Sequence, residues 1–100
     1  MVRHIILWKL KSDIPADKLD TVKADIKEHL EALPPVIEGL ESLLVHTDGL
    51  PSSTCDLMLE SVLMDKDALK TYKNHPAHVH VADTYVRPNV DVRLCLDFEV

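Results

Sequence analysis

Val2-Arg3-His4-Ile5-Ile6-Leu7-Trp8-Lys9-Leu10-Lys11 opens the chain, and its alternation decides the fold. In an extended strand, successive side chains point to opposite faces. His4, Ile6, Trp8 and Leu10 therefore share one face, and Ile5 and Leu7 share the other. The run from Cys55 to Met64 behaves the same way, with Leu57, Leu59 and Leu63 opposed by Met58, Val62 and Met64. Both faces of the sheet that such strands form are substantially apolar. Helices cover one face, which leaves a second greasy face to bury. The simplest burial is a second copy packed sheet against sheet about a two-fold axis. A merely mixed outer face, diluted by Glu60 and Ser61, is the alternative.

Outward from that strand, Pro15 suits a first helical turn, with Asp17 near the positive end of the helix. Leu19, Val22, Ile26, Leu30 and Leu33 follow at spacings of three and four, which predicts an amphipathic helix. Lys18, Lys23, Lys27, Glu28 and Glu31 are expected on its wet side, and Pro34-Pro35 stops it. Leu40 to Thr47 reads as a second strand after Gly39, and Asp48 to Ser53 as a turn. Cys55 to Met64 is the third strand. Asp65 is placed to cap a helix from Lys66 to about Asn74, and Pro76 to open a short one reaching roughly Val86. Arg87-Pro88-Asn89 reads as a loop, and Val90 to Val100 alternates as the last strand. The order β-α-β-β-α-β is the ferredoxin-like α+β arrangement, an antiparallel sheet with helices on one face.

The chain has 100 residues, which fits a single domain spanning 1–100. Hydrophobic residues make up 46% and aromatics only 4%, so the core must be Leu, Val and Ile. The net charge of −6 argues against nucleic acid, whose binding rests on Lys and Arg neutralising phosphates. No basic amphipathic helix points to a membrane surface. The amino-terminal apolar run is too short for a signal or a span, and the protein is expected in the cytoplasm. Cys55 and Cys95 lie in strand-like contexts and are expected as small buried hydrophobes rather than a disulfide. With only two glycines, the chain has no phosphate-cradling loop, and it has no serine nucleophile elbow.

Chemistry concentrates in Tyr72-Lys73-Asn74-His75-Pro76-Ala77-His78-Val79-His80, which holds three of the six histidines. Imidazole titrates nearest neutrality, so a histidine cluster is a candidate proton-transfer or ligand site. His75 and His78 are three apart and share one helix side, whereas His80 points elsewhere. First and last strands are neighbours in this fold, so Asp97 is positioned to approach His4 or a helix histidine. One histidine would be a general base, a carboxylate would hold its tautomer, and the Tyr72 hydroxyl would donate to a developing oxyanion. The same residues also suit a structural network that satisfies buried polar groups. His75-x-x-His78-x-His80 matches no zinc signature, and no metal or cofactor is expected. Trp8 reads as core or interface, and His29 and His46 as single rim residues.

The opening His4-Ile5-Ile6-Leu7-Trp8-Lys9-Leu10-Lys11, the helix end Leu33-Pro34-Pro35-Val36, the segment Tyr72-x-x-His75-Pro76-x-His78 and the closing Leu96-Asp97-Phe98-Glu99 resemble the stress-responsive dimeric α/β-barrel (Dabb) family over essentially the whole chain. The resemblance implies a ferredoxin-like protomer that pairs with a second copy to enclose a barrel. It also implies a stress-associated protein holding a small apolar or carbonyl-containing molecule between helices and sheet. One plant member of the family is a polyketide cyclase that performs an intramolecular aldol condensation without metal or cofactor. Carried over by motif, His78 would be the general base, Tyr72 its partner and Asp97 the residue orienting the histidine, with His4 and His75 at the substrate. Related barrels host haem or quinone chemistry, against which the sparse aromatics count. The cyclase lines an alkyl-chain pocket with first-helix aromatics. Here that stretch is Val22-Lys23-Ala24-Asp25-Ile26-Lys27, so a long hydrophobic tail is not implied.

Overall fold

A computed structural model describes all residues, 1–100. Its elements are β1 (Val2–Leu10), α1 (Ala16–Glu31), β2 (Leu40–His46), β3 (Leu57–Leu63), α2 (Lys66–Asn74), α3 (Pro76–Val81) and β4 (Val90–Glu99). A π turn (Ala82–Val86) and a 3-10 turn (Arg87–Asn89) join α3 to β4. The four strands form one antiparallel sheet in the order β2-β3-β1-β4. Each helical crossover therefore joins two strands that run the same way with a third between them, which is the ferredoxin-like fold.

The helices lie on the face that carries Val2, Ile6, Trp8 and Leu10 of β1 and Leu57, Leu59 and Leu63 of β3, all buried. α1 seals that face with Ile26 and Leu30, and the chain beyond it adds Leu33 and Ile37. α2 begins where expected, because the Asp65 side chain accepts a hydrogen bond from the Ala68 N–H at 2.8 Å. Gly39 is the backbone hinge before β2. Its φ of 87° suits glycine, and a Cβ there would lie 2.7 Å from the Ala68 Cβ. No helix is long and apolar enough to cross a membrane.

Several sequence expectations shift. β3 starts at Leu57, not Cys55, because Asp56 turns the chain against the end of β1. Its N–H donates to Trp8 O, and its carboxylate accepts from Leu10 N at 2.8 Å. Arg87–Asn89 closes into a 3-10 turn, and the helix after Pro76 relaxes into a π turn from Ala82. Lys27 and Glu31 do not simply face water. Lys27 Nζ donates to Val45 O at 2.7 Å, and Glu31 accepts from Val45 N at 2.9 Å, so both side chains satisfy the open edge of β2. Burial pushes the Glu31 pKa up, but the Lys27 and Val45 hydrogen bonds and the Lys27 charge outweigh it and hold the carboxyl below its usual range. Neither cysteine is buried as expected. Cys55 is half-exposed in the turn, and Cys95 is exposed on the edge strand β4.

The outer face is bare. By register it carries Leu7 opposite Met58 and Leu94, Ile5 opposite Glu60 and Leu96, and Phe98 beside Arg3. Leu44, Val92, Leu94, Leu96 and Phe98 are exposed in the single chain.

Candidate functional site

His4 and Ser61 are the only buried polar residues of the chain. A polar side chain on the core face of a central strand needs a partner, and the register supplies one, since His4 stands directly opposite Asp97 on β4. His4 Nδ1 hydrogen-bonds the Asp97 carboxylate. Lys73 Nζ donates to the other carboxylate oxygen at 3.4 Å. With Nδ1–H held toward the carboxylate, the neutral ring keeps Nε2 free as an acceptor. Burial lowers the His4 pKa, and Asp97 only partly restores it, so the ring is neutral at neutral pH. Burial pushes Asp97 upward, yet its bond to His4 and the charges of His4 and Lys73 hold the carboxyl below its usual range.

Tyr72, buried on α2, stands beside this pair. Its ring meets the His4 ring edge-on at 5.9 Å and tilts against the His78 ring at 4.3 Å. Burial drives the phenol pKa well above its normal value, so the hydroxyl stays protonated and remains a donor. Pro76 brings His78 to this position. α2 ends at Asn74, and α3 restarts at Pro76, where the absent N–H costs nothing. His78 Nδ1 donates to Lys73 O at 3.2 Å in its neutral tautomer, which leaves Nε2 free. Burial again lowers its pKa.

These rings line a cavity of about 550 Å³ between helices and sheet. Ile6, Trp8, Leu30, Leu59 and Val86 form apolar wall, and Lys73, Arg87, Asp91 and Arg93 add charge. The structure thus brings His4, Tyr72, His78 and Asp97 together from β1, α2, α3 and β4. It does not bring His75 with them. That side chain caps α3, accepting from Ala77 N at 3.1 Å, and lies outside the cavity wall. Asp97 orients His4, whereas the expectation from the motif gave it to His78. Trp8, expected as core or interface, is buried and also walls the cavity. His29 is not a free rim residue but stacks on Tyr85 at 3.8 Å. His46 bonds Glu60 at 2.8 Å on the exposed outer face.

Cys95 was not singled out for the site, yet its Sγ lies 3.5 Å from the Asp97 carboxylate and 3.8 Å from His4 Nδ1. His4, Cys95 and Asp97 offer three potential metal-ligand atoms within 4.8 Å of one another, as do Asp25, Glu28 and His29 on α1. Burial and the neighbouring Asp97 charge raise the Cys95 pKa, which favours the thiol over the thiolate that a metal needs. Arg93 was missed as well. The available signal was parity, since residues 93, 95, 97 and 99 alternate onto one face of β4.

A four-stranded antiparallel sheet in this order with helices on one face places the chain among small ferredoxin-like α+β proteins. The family model described as the Stress responsive A/B Barrel Domain (Dabb) matches residues 2–100, and the chain belongs to that family. Among solved structures, it is similar to a dimeric protein of unknown function with a ferredoxin-like fold from Bacteroides fragilis NCTC 9343. The two are 32% identical with a TM-score of 0.91, over 99% of this chain and 95% of that one. A dimeric ferredoxin-like protein of unknown function from Thermobifida fusca YX is 24% identical, with a TM-score of 0.79 over 99% and 90% of the two chains. The hydroxynitrile lyase from Passiflora edulis is 19% identical, with a TM-score of 0.72 over 97% and 90%. These last two likenesses concern the fold alone. A search of curated proteins gives no match.

Proposed function

We propose that the chain acts as a homodimer that binds a small, largely apolar molecule carrying a carbonyl group in the cavity between helices and sheet. The observation that carries this reading is a ligand-sized space of about 550 Å³ with apolar walls and a tight group of His4, Tyr72 and His78 on its lining. A small number of placed polar groups on an apolar wall is the usual composition of a small-molecule site. The Tyr72 hydroxyl is the natural donor to a carbonyl oxygen. The two free Nε2 atoms accept from a hydroxyl or enol. Dimerisation through the outer face is supported by its exposed leucines and by similar structures described as dimeric. The family description supports a role in stress.

A second reading, a cofactor-free lyase or cyclase, is favoured by two neutral, oriented imidazoles flanking a protonated tyrosine. In it, His78 Nε2 removes a proton alpha to a carbonyl, and the C–H electron pair moves onto the oxygen as an enolate. Tyr72 hydrogen-bonds that oxygen. The enolate carbon then attacks a second carbonyl of the same molecule, and the resulting alkoxide takes the proton back from His78. His4, held by Asp97, accepts from a substrate hydroxyl.

A thermal-shift screen of cyclic and aryl ketones tests binding, since a ligand of the folded state raises its stability. Ketones are expected to raise the melting temperature of the parent, less so that of His78→Ala, and not that of a cavity-filled Ala82→Trp variant. No shift with any ketone would count against binding. Deuterium exchange at the alpha carbon of a bound ketone in D2O, followed by NMR, tests proton transfer. Exchange in the parent that is absent in His78→Ala supports the lyase, and equal exchange in both contradicts it.

A further inference from the structure

The chain is acidic overall, at −6, yet its cavity is lined by three cationic side chains, Lys73, Arg87 and Arg93, and by one carboxylate, Asp91. Two of the cations are already engaged. Lys73 pairs with Asp97 at 3.4 Å, and Arg87 pairs with Asp83. Arg93 takes part in none of the ion pairs of the chain. It stands opposite Trp8 in the β1–β4 register, on the cavity face of β4 and at the open side, where the residue is exposed. Its charge reaches His4, Tyr72, His78 and Cys95, groups drawn from four different elements.

A guanidinium without a partner, set beside an apolar wall and three neutral rings, lacks the counter-charge that the rest of this acidic chain could easily provide. Its planar fork matches a carboxylate with two parallel hydrogen bonds. We infer that the cavity takes a small organic acid, with its carboxylate on Arg93 and its apolar body against Trp8, Leu59 and Val86. This rests on the reading of the cavity as a small-molecule site and narrows its ligand class. The competing role for Arg93 is a solvated surface cation.

The chain has one tryptophan, and it walls the cavity, so Trp8 fluorescence reports occupancy directly. The probes are cyclohexanecarboxylate and its neutral isostere cyclohexanecarboxamide, titrated into the intact protein. The acid is expected to bind about tenfold or more tightly than the amide, in line with a charge-assisted hydrogen bond. Arg93→Gln is expected to erase that preference while leaving amide binding in place. Arg93→Lys keeps part of it. Equal binding of the two probes by the parent, or a preference that survives Arg93→Gln, overturns the inference and leaves Arg93 as a solvated cation. In that case, amide binding that Ala82→Trp abolishes preserves the cavity reading. Binding of neither probe at millimolar concentration contradicts both.

Discussion

The two faces of β4 have opposite chemistries, although only one residue step separates them. Val92, Leu94, Leu96 and Phe98 point to the outer face and are exposed in the protomer. Arg93, Cys95, Asp97 and Glu99 point toward the helices, where Asp97 bonds His4 and Glu99 pairs with Lys66 at 3.0 Å. Strand period sorts the two sets: a one-residue slip would exchange every member. One edge strand therefore presents an exposed apolar row on one side and a polar site on the other without a loop or an added element. The same strand geometry ties the two together, because the pairing with β1 that presents the leucines also places Asp97 on His4.

The largest effect is expected on the outer face. Leu94→Asp with Leu96→Asp removes four leucines from the proposed symmetric interface, each worth about 1.5–3 kcal/mol when buried, and the dimer is expected to weaken by about 10³-fold or more. Sedimentation equilibrium measures this, while the His4 NMR signals should persist in the monomer. Loss of both would mean that the faces are not separable.

Next in size is the hinge that sets the sheet. Gly39→Ala is expected to cost about 1–3 kcal/mol in chemical denaturation, because it combines a positive φ with a close approach to Ala68. An unchanged midpoint would show that the backbone relaxes freely there.

On the inner face, the lowered pKa values of His4 and His78 fix the sign of a pH effect. Below its ordinary pKa of about 6.5, each histidine binds a proton more readily in the unfolded chain than in the fold. The stabilisation is therefore complete above that pH and is lost as the pH falls through the depressed folded values. Asp97, with its lowered carboxylate pKa, adds a further loss only at more acidic pH. Urea midpoints between pH 5 and 8 should fall toward acid, and His4→Gln/His78→Gln should flatten the slope near pH 6. Asp97→Asn should lower the His4 pKa further, read by NMR titration, with the dimer intact.

The smallest effect is expected at Tyr72→Phe. Burial, with a small opposing contribution from Arg93, sets the pKa of its phenol, and no hydrogen bond contributes. Stability should change by less than about 0.5 kcal/mol. Ketone binding should nevertheless weaken if the hydroxyl is the donor to ligand.

Much of this was legible in the sequence because it depends on local period. The alternation in β1 and β3 showed both faces of the sheet, and Asp65 marked the start of α2. What stayed hidden depends on tertiary pairing. Lys27 and Glu31 have the helical spacing of a solvated face, and only the position of α1 over the β2 edge turns them onto Val45. The histidine-rich segment drew attention to His78, but register gives the carboxylate to His4, 93 residues away from Asp97 in sequence. Arg93 has no local signature beyond its parity with Asp97, since a lone arginine in an alternating strand looks like any wet position. The family motif carried His75 along with His78, although Pro76 separates their directions by restarting the helix between them.

Sedimentation of the parent and of the Leu94→Asp/Leu96→Asp variant at matched micromolar concentration addresses the outer face most directly. The parent is expected at twice the 11.3 kDa chain mass and the variant as a folded single chain of 11.3 kDa. A parent that sediments as a folded protomer at every concentration, or a variant that remains paired, would contradict pairing through the outer face.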